Sequence, residues 1–469
     1  MNVPRTIGKL VASSVSATIL SLLAVTFFAQ AVGAASLGIF FLFQSVLSVL
    51  TSIGDFGVSV GVEKRISSGN SIRESLGAGL IIKVSTALFI AVGLIIFRPQ
   101  INDYLGISAV GAIIVAFVSQ QVFLVLQGVI RGDQRVGQTA VFQVLKQGTW
   151  LVLGSAALQF GYGVVGLIYA YVVAHLTVMS AALLIVQVLP SVPTPRRIRE
   201  LIDYSLWSYV GSLGGVVYNW MDVLLIGYFM TNAAVGAYEV AWMVTTASLI
   251  FSRAVRKVAF PIMNAEGGRE DISRLEELVT QYLTPSLYFV IPAFVGATIL
   301  GDEILTIVFG PEFSVGWVVL SILMVEKIQR AISYVLISPM HAVDRPDLAA
   351  KSTAAGMVAN LSFNIFLIPR YGLVGAALAT MLAETVNFSL HLHWLRHYMR
   401  IHVPVRELLI CTMAAVGMGG VLFSIKILFN VDKSLALIAI VGLSALLYVF
   451  LTAVSRTIRE QMLSVVQDI

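Results

Sequence analysis

Residues 162–166 read Tyr-Gly-Val-Val-Gly, and residues 371–375, 209 positions later, read Tyr-Gly-Leu-Val-Gly. Each stretch opens a long apolar run. A second pair supports the first, because residues 35–40 (Ala-Ser-Leu-Gly-Ile-Phe) resemble residues 233–238 (Ala-Ala-Val-Gly-Ala-Tyr), 198 positions later. Two echoes at nearly the same separation indicate an internal duplication that spans most of the chain. In a chain this apolar, such a duplication predicts a two-lobed transporter.

The composition is that of a membrane protein. Of the 469 residues, 58% are hydrophobic and 12% are charged, and the mean hydropathy is +0.90. A soluble domain is about half apolar and about a quarter charged. The apolar residues form runs long enough to cross a hydrocarbon core of about 30 Å. The single cysteine, Cys411, lies in such a run, so the sequence holds no disulfide framework and no cysteine-based metal site.

We predict an all-α polytopic membrane protein with about 14 transmembrane helices. They cover residues 7–32, 38–62, 77–97, 107–130, 137–160, 163–188, 204–230, 235–258, 279–300, 316–340, 348–369, 371–395, 405–427 and 434–455. An even number of helices separates the two copies of the repeat, so the two six-helix bundles are parallel. Residues 1–200 are the first lobe and 201–400 the second, and 401–469 supply two additional helices and a tail.

The distribution of the 30 Lys and Arg residues predicts the orientation. Most of them fall in alternate connections, for example in residues 196–199, which read Arg-Arg-Ile-Arg. The positive-inside rule places these connections in the cytoplasm, and with them both termini of a multi-pass protein of the cell membrane. The formal net charge of +5 therefore reflects topology rather than a nucleic-acid partner.

Ionisable and polar residues within the predicted helices are the candidate substrate-binding residues. An ionised group near the bilayer centre costs about 2.5–3.5 kcal/mol on insertion scales and usually faces a cavity or a partner. The candidates are Lys83, Lys146, Asn219, Asp222, Glu326, Lys327, Arg330 and Glu384. We expect Arg131 and Arg135 to form a basic rim at the cytoplasmic side.

Several of these charges have a purely structural alternative. Glu326 and Arg330 are four residues apart and can pair along their own helix. Lys83 can snorkel to the cytoplasmic surface. Lys146 and Lys327 have no acid at helical spacing within their own helices, which favours a cavity-lining role for at least one of them. A cation in a wet cavity provides the counter-charge that a phosphate or pyrophosphate group needs.

The seventh predicted helix carries a polar stripe. Gly211, Gly215, Tyr218 and Asp222 share one face, with Asn219 beside it. The two glycines are typical of close helix–helix contact in lipid. Asp222 and Asn219 indicate instead that the outer end of the stripe meets water.

Three stretches resemble the polysaccharide-transporter branch of the multidrug/oligosaccharidyl-lipid/polysaccharide exporter superfamily, the Wzx-type flippases. They are residues 33–40, residues 222–238 and residues 368–377. The resemblance implies two six-helix bundles that work by alternating access. It also implies a substrate, which is a sugar or oligosaccharide joined through phosphate or pyrophosphate to undecaprenol or dolichol. Members move this lipid from the inner to the outer leaflet for cell-surface polysaccharide or S-layer glycoprotein N-glycosylation.

Residues 62–66, Val-Glu-Lys-Arg-Ile, resemble archaeal members, which favours a dolichol-phosphate-linked sugar used in S-layer biogenesis. We expect the anionic headgroup, drawn in by Lys83 and the basic rim, to pair with Lys146 and with Lys327 or Arg330. The polyprenyl tail is expected to stay in the membrane lipid. Glycosyltransferases or an oligosaccharyltransferase of the same pathway are the expected protein partners.

Other classes of membrane protein stay open at this point. A cation-coupled multidrug exporter of the same superfamily has the same twelve-helix core, although a cationic drug calls for carboxylates rather than lysines. Residues 63–69 lack the Gly- and Arg-rich loop of a major-facilitator transporter. An enzyme acting on lipid-linked sugars is the third alternative, but no connection has room for a catalytic domain. With no Walker A sequence and no cluster of metal ligands, we predict a transporter without a cofactor.

Overall fold

The computed structural model describes residues 3–267, 271–428 and 434–468, and in this part of the chain the regular structure is helical, without strands. The side chains of residues 3–8, 10, 11, 206–218 and 465–468 lie outside the description. Seventeen α-helices fall in the described part: α1 Val3–Asp55, α2 Val58–Ser67, α3 Ile72–Ile96, α4 Arg98–Leu105, α5 Val110–Gly132, α6 Ala140–Gln159, α7 Gly163–Val186, α8 Pro195–Phe229, α9 Asn232–Ala247, α10 Ile250–Gly267, α11 Ile272–Leu287, α12 Val290–Glu303, α13 Trp317–Ala342, α14 Pro346–Leu395, α15 Val405–Leu428, α16 Ser434–Ala453 and α17 Arg456–Asp468. The all-α prediction is confirmed.

Each of the fourteen predicted spans coincides with one of these helices, with part of one or with a consecutive pair. By length and composition, eight helices of the described part can cross a membrane, or nine if the bent pair α9 and α10 forms one span. The count is below fourteen partly because α1 and α14 each cover two predicted spans. In α13, three charged residues between positions 326 and 330 interrupt the apolar run.

The chain forms two compact units, Met1–Gly236 and Ala237–Ile469. The boundary between them falls within α9, whereas the sequence repeat puts the change of lobe near residue 200. The division into residues 1–200, 201–400 and 401–469 stays a prediction. In the second unit, α15 and α16 pack onto α12 through a buried apolar cluster that includes Cys411, Met418 and Tyr448.

The repeated pentapeptide has the same backbone role in both units. Gly163 opens α7 with a φ of 53°, and Gly372 interrupts α14 with a φ of 55°. A residue with a Cβ in this left-handed region costs about 1–2 kcal/mol. The second glycines, Gly166 and Gly375, lie against the preceding helix. A Cβ on Gly166 would come within 2.7 Å of a side-chain carbon of α6, and one on Gly375 would overlap a carbonyl oxygen of the first arm of α14. The motif is therefore a glycine-dependent turn followed by a close helix contact.

We predict that Gly372→Ala destabilises the protein by about 1–2 kcal/mol, because alanine cannot adopt the φ of 55° without strain. The melting midpoint of the purified protein in detergent, followed by size-exclusion chromatography after heating, should fall. Gly442→Ala is the matched control, since Gly442 lies inside α16 with open space around its Cα. Its melting midpoint should stay equal or rise slightly, because alanine is the better helix former. A Gly372→Ala protein as stable as the control would contradict this account of the motif.

Candidate functional site

Most of the charged residues that the sequence predicts to lie within the membrane occupy three places in the described part of the chain. The first unit holds a buried acid–lysine pair and, separately, a lysine over aromatic rings. The second unit holds a network of four charged side chains between α13 and α14. We call these the Lys83 pair, the Lys146 box and the α13–α14 network.

The Lys83 pair joins three helices of the first unit. Lys83, on α3, is 1% exposed and donates to the carboxylate of Asp55 at the end of α1 and to Oε1 of Gln121 on α5, the latter at 2.5 Å. Gln121 Nε2 donates in turn to the carbonyl of Thr51 at 3.0 Å, and Ser59 donates to Asp55. Lys83 therefore does not snorkel to a surface. Its charge is neutralised inside the bundle, where it fixes α1, α3 and α5 together.

The Lys146 box lies on α6 and α7. The half-buried Lys146 places its Nζ 5.5 Å from the ring centroid of Tyr171, at cation–π distance. The Tyr171 ring contacts Trp150 and Phe40 edge-on, with centroids 5.7 and 5.4 Å away. Its hydroxyl accepts a hydrogen bond from Gln44 Nε2 at 3.0 Å. Among the described side chains no carboxylate pairs with Lys146.

The α13–α14 network balances two cations against two carboxylates. Lys327 Nζ lies 2.6 Å from Glu326 Oε2 and 3.3 Å from the ring centroid of Trp242 on α9. Arg330 donates to Glu326 Oε1 at 2.6 Å and to Glu384 Oε2 at 3.0 Å. Glu326, Lys327 and Glu384 are at most 1% exposed, whereas the side chain of Arg330 is 20% exposed.

Two further hydrogen-bonding groups complete the α13–α14 network. Ser333 donates to Glu384 Oε1 at 2.7 Å, and Asn387 Nδ2 lies 3.3 Å from both oxygens of the same carboxylate. A buried carboxylate with this many hydrogen-bond donors around it is held in one position. The expectation that Glu326 pairs with Arg330 along one helix agrees with this geometry, which also adds Glu384. Lys327 has no acid at helical spacing within its helix, but the adjacent Glu326 reaches it.

The remaining sequence candidates lie apart from these clusters. Asp222 is 3% exposed near the end of α8, and Asn219 is exposed one turn earlier. The other members of the predicted stripe, at positions 211, 215 and 218, lie outside the described side chains. Arg131 is exposed at the end of α5, while Arg135 donates to the carbonyl of Ile185 at 3.1 Å and so contacts the end of α7.

Sequence reasoning missed Asp55, which neutralises Lys83, and the uncharged side chains that contact the predicted charges. Asp55 lies near the inner end of a predicted helix and is distant in sequence from Lys83, so no helical spacing connects the two. Gln121, Trp242 and Asn387 are ordinary residues of apolar helices, and only the packing of neighbouring helices assigns them a role. A search of the first lobe for an acid at membrane depth would have found Asp55 as a partner for Lys83.

A separate cavity in the second unit is apolar. It has a volume of about 480 Å³ and is lined by residues of α9, α10, α12, α13, α15 and α16, with Phe251, Phe289 and Met418 among them. No charged side chain of the described residues lines it. An anionic group therefore has no counter-charge there, and the candidate anion site lies with the intramembrane cations.

Helical spans with cations held inside them define a polytopic membrane transporter. The chain matches the family model described as polysaccharide biosynthesis protein over residues 32–316. Over 460 residues it is 35% identical to the probable low-salt glycan biosynthesis flippase Agl15 of Haloferax volcanii, which covers 98% of both chains. It is 26% identical over 443 residues to the probable flippase AglR of the same organism, covering 92% of this chain and 91% of that one. The chain belongs to this polysaccharide biosynthesis family.

The fold is also found among solved structures. The lipid II flippase MurJ in an inward closed conformation matches with a TM-score of 0.78 at 14% identity, covering 95% of this chain and 98% of that one. The fold class is confirmed, and so is the predicted resemblance to flippases of polysaccharide biosynthesis. The protein is a multi-pass membrane transporter rather than an enzyme. The cytoplasmic placement of both termini stays a prediction.

We predict that Asp55→Ala destabilises the protein by up to about 3–5 kcal/mol, because it leaves the Lys83 ammonium buried without a counter-charge. Adding Lys83→Met should recover much of the lost stability, since the double variant buries no charge. Melting midpoints in detergent give both values. The matched control is Asp347→Ala, which removes the two exposed ion pairs that Asp347 makes with Arg345 and Lys351. It should change stability by about 0–1 kcal/mol. A double variant no more stable than Asp55→Ala would contradict the neutralising role of Asp55.

Proposed function

We propose that the protein is a flippase that moves a polyprenyl-(pyro)phosphate-linked sugar or oligosaccharide from the inner to the outer leaflet of the cell membrane. The observation that carries this proposal is the 35% identity, across 98% of both chains, to a protein named as a probable glycan biosynthesis flippase. The shared family model is described by polysaccharide biosynthesis, which fits a saccharide-bearing substrate. Alternating access of the two lobes is the transport mechanism that we infer from this membership.

Lys146 is the residue that we assign to the phosphate of the substrate. Of the three lysines named as candidates, Lys83 and Lys327 are neutralised by Asp55 and Glu326, whereas Lys146 has no carboxylate partner among the described side chains. Its ammonium is held over the Tyr171 ring and has three N–H donors available for an anion. Away from bulk water, a charge-assisted bond to a phosphate oxygen is stronger than at a surface.

Arg330 is the second residue that we assign to the headgroup, in preference to Lys327. Lys327 is 1% exposed and bound to Glu326, so it reaches a substrate only by breaking a buried ion pair. Arg330 keeps 20% of its side chain exposed and has five N–H donors, of which the two carboxylates occupy only part. Glu326 and Glu384 thus act as positioning residues that hold the guanidinium in place.

The remaining parts of the proposal concern the carrier and the pathway. Dolichol is the lipid that we favour, and S-layer glycoprotein N-glycosylation the process, since two similar proteins from Haloferax volcanii are named as flippases. Glycosyltransferases or an oligosaccharyltransferase would supply and consume the lipid-linked saccharide. Both termini would face the cytoplasm, as the Lys and Arg distribution predicts.

We predict that Lys146→Met lowers the flipping rate by about tenfold or more, because a hydrogen bond to a charged group contributes about 1.5–3 kcal/mol. Lys146→Arg keeps the charge and should retain a larger part of the activity. The measurement uses purified protein in vesicles that contain a fluorescent lipid-linked sugar, with the outer-leaflet fraction followed by chemical quenching and the product mass by mass spectrometry.

Lys257→Met is the matched control, since Lys257 is an exposed lysine on α10. It should flip the lipid at close to the wild-type rate. Wild-type transport in Lys146→Met would overturn the assignment of Lys146. A change in product mass would overturn the flippase proposal itself, since an enzyme alters its substrate and a flippase does not.

A further inference from the structure

A polar groove lies at the end of the second unit that the charge distribution places outside the cell. It has a volume of about 440 Å³, in the range of about 300–1,000 Å³ that is usual for small-molecule sites. We call this groove the outer pocket. Its polar and aromatic lining residues are Thr298, Asp302, Ser314, Trp317 and Lys426. None of these residues belongs to the Lys146 box or to the α13–α14 network.

Lys426 builds one wall of the outer pocket by joining α15 to α12. Its Nζ donates to the carbonyl of Ile299 at 2.8 Å and lies 2.7 Å from Glu303 Oε1. The ion pair is about one-third exposed at the lysine and less at the glutamate. The lysine charge is thereby cancelled within the wall, and one N–H remains for another acceptor.

Trp317 provides an aromatic surface in the same pocket. It is the first residue of α13 and follows the π-helical turn Ile304–Phe309 and the 3-10 segment Pro311–Gly316. A Cβ on Gly301 would lie 3.9 Å from the Cβ of Trp317, which places the tryptophan beside the end of α12. Trp317 is 45% exposed although it is large and apolar.

Asp302 supplies the charge of the outer pocket. Its carboxylate is exposed and has no partner among the described side chains. Thr298 donates to the carbonyl of Phe294 at 2.8 Å and keeps its acceptor lone pairs, and Ser314 adds a second hydroxyl. With the lysine neutralised by Glu303, the pocket carries the single negative charge of Asp302.

This combination fits the two faces of a sugar ring. A pyranose has an apolar face of C–H groups that stack on the negative face of an indole, and a rim of hydroxyls that donate to a carboxylate. We propose that the outer pocket binds a pyranose ring of the saccharide headgroup and prefers a neutral or amino sugar to a uronic acid. The preference follows because Asp302 repels a second carboxylate. The role in transport rests on the proposed function, whereas sugar binding itself does not.

The first unit contains a pocket of similar position that is built differently. This pocket lies between α4 and the end of α8 and has a volume of about 540 Å³. Asp103, Tyr104 and Tyr228 are among its lining residues. The Tyr104 hydroxyl donates to the carbonyl of Leu224 at 2.7 Å, which commits it to holding α4 against α8. No lysine or arginine lines that pocket in the described part of the chain. It therefore supplies a matched control acid, Asp103, for the outer pocket.

The experiment titrates the full-length protein in lipid nanodiscs with methyl β-D-glucopyranoside, N-acetylglucosamine and glucuronate, and measures binding by saturation-transfer NMR. We expect saturable binding of the two uncharged sugars and weaker binding of glucuronate. Trp317→Leu should weaken the binding of the uncharged sugars by about three- to tenfold. Trp317→Phe should weaken their binding less, because it keeps an aromatic ring. Asp302→Asn should increase the affinity for glucuronate relative to the affinity for methyl glucoside.

Two control variants test whether the effects are specific. Asp103→Asn and Trp394→Leu remove an acid of the first-unit pocket and a tryptophan of α14, and both should bind the sugars as the wild type does. Equal binding by wild type, Trp317→Leu and Trp317→Phe, all shown to be folded by size-exclusion chromatography, would overturn the proposal. The proposal would also be overturned if Asp302→Asn bound glucuronate, relative to methyl glucoside, no better than the wild type does.

The flipping assay separates the two proposals. If the wild type binds the sugars through Trp317 but moves no lipid-linked saccharide between leaflets, the flippase proposal fails and the sugar site stands. If the wild type flips the lipid but binds sugar independently of Trp317 and Asp302, the sugar site fails and the flippase proposal stands. A flipping rate lowered in Trp317→Leu, with Lys257→Met unaffected, supports both.

Discussion

The cost of placing a charge in hydrocarbon governs the interior of this protein. An uncompensated ion at membrane depth costs several kcal/mol, so each buried cation needs a carboxylate, a ring or water. Lys83 has Asp55, and Lys327 and Arg330 share Glu326 and Glu384. Two of these pairs join different helices, because Lys83 of α3 meets Asp55 of α1 and Arg330 of α13 meets Glu384 of α14, whereas Glu326 lies on the same helix as Lys327 and Arg330. Lys146 is the exception among the mid-span lysines, since it has an aromatic ring and no described carboxylate.

The duplicated scaffold does not duplicate this chemistry. The glycine turn recurs with nearly the same φ at Gly163 and Gly372, and both second glycines allow close helix contact. The charges do not recur, because position 355 at the offset of 209 from Lys146 is an alanine. The two copies of the repeat therefore share the glycine turn and not the charge at the position of Lys146. The repeat therefore does not extend to the candidate substrate-binding residues, which differ between the two copies.

Much of the fold could be predicted from the sequence, and less of the site. Long apolar runs fix helices because lipid leaves backbone groups no partner outside the helix, so all fourteen predicted spans coincide with helical segments. Helical spacing also predicted the pairing of Glu326 with Arg330. It was not able to pair Lys83 with Asp55, because that contact depends on how α1 packs against α3. Nor did it show that the adjacent Glu326 side chain turns to reach Lys327.

The sequence by itself determined the class of molecule, its helices, its repeat and the residues that bear intramembrane charge. It did so because a segment that crosses lipid must be helical and apolar over about 20 residues, and any charge within it is visible in the sequence. Only the tertiary structure decided how Lys83 is neutralised and that Glu384 joins Glu326 and Arg330. These contacts depend on side chains from separate helices meeting inside the bundle, where an ion pair is screened less than in water. That packing left Lys146 without a described acid, placed Arg330 at the edge of a carboxylate network, and brought Trp317 and Asp302 into one pocket.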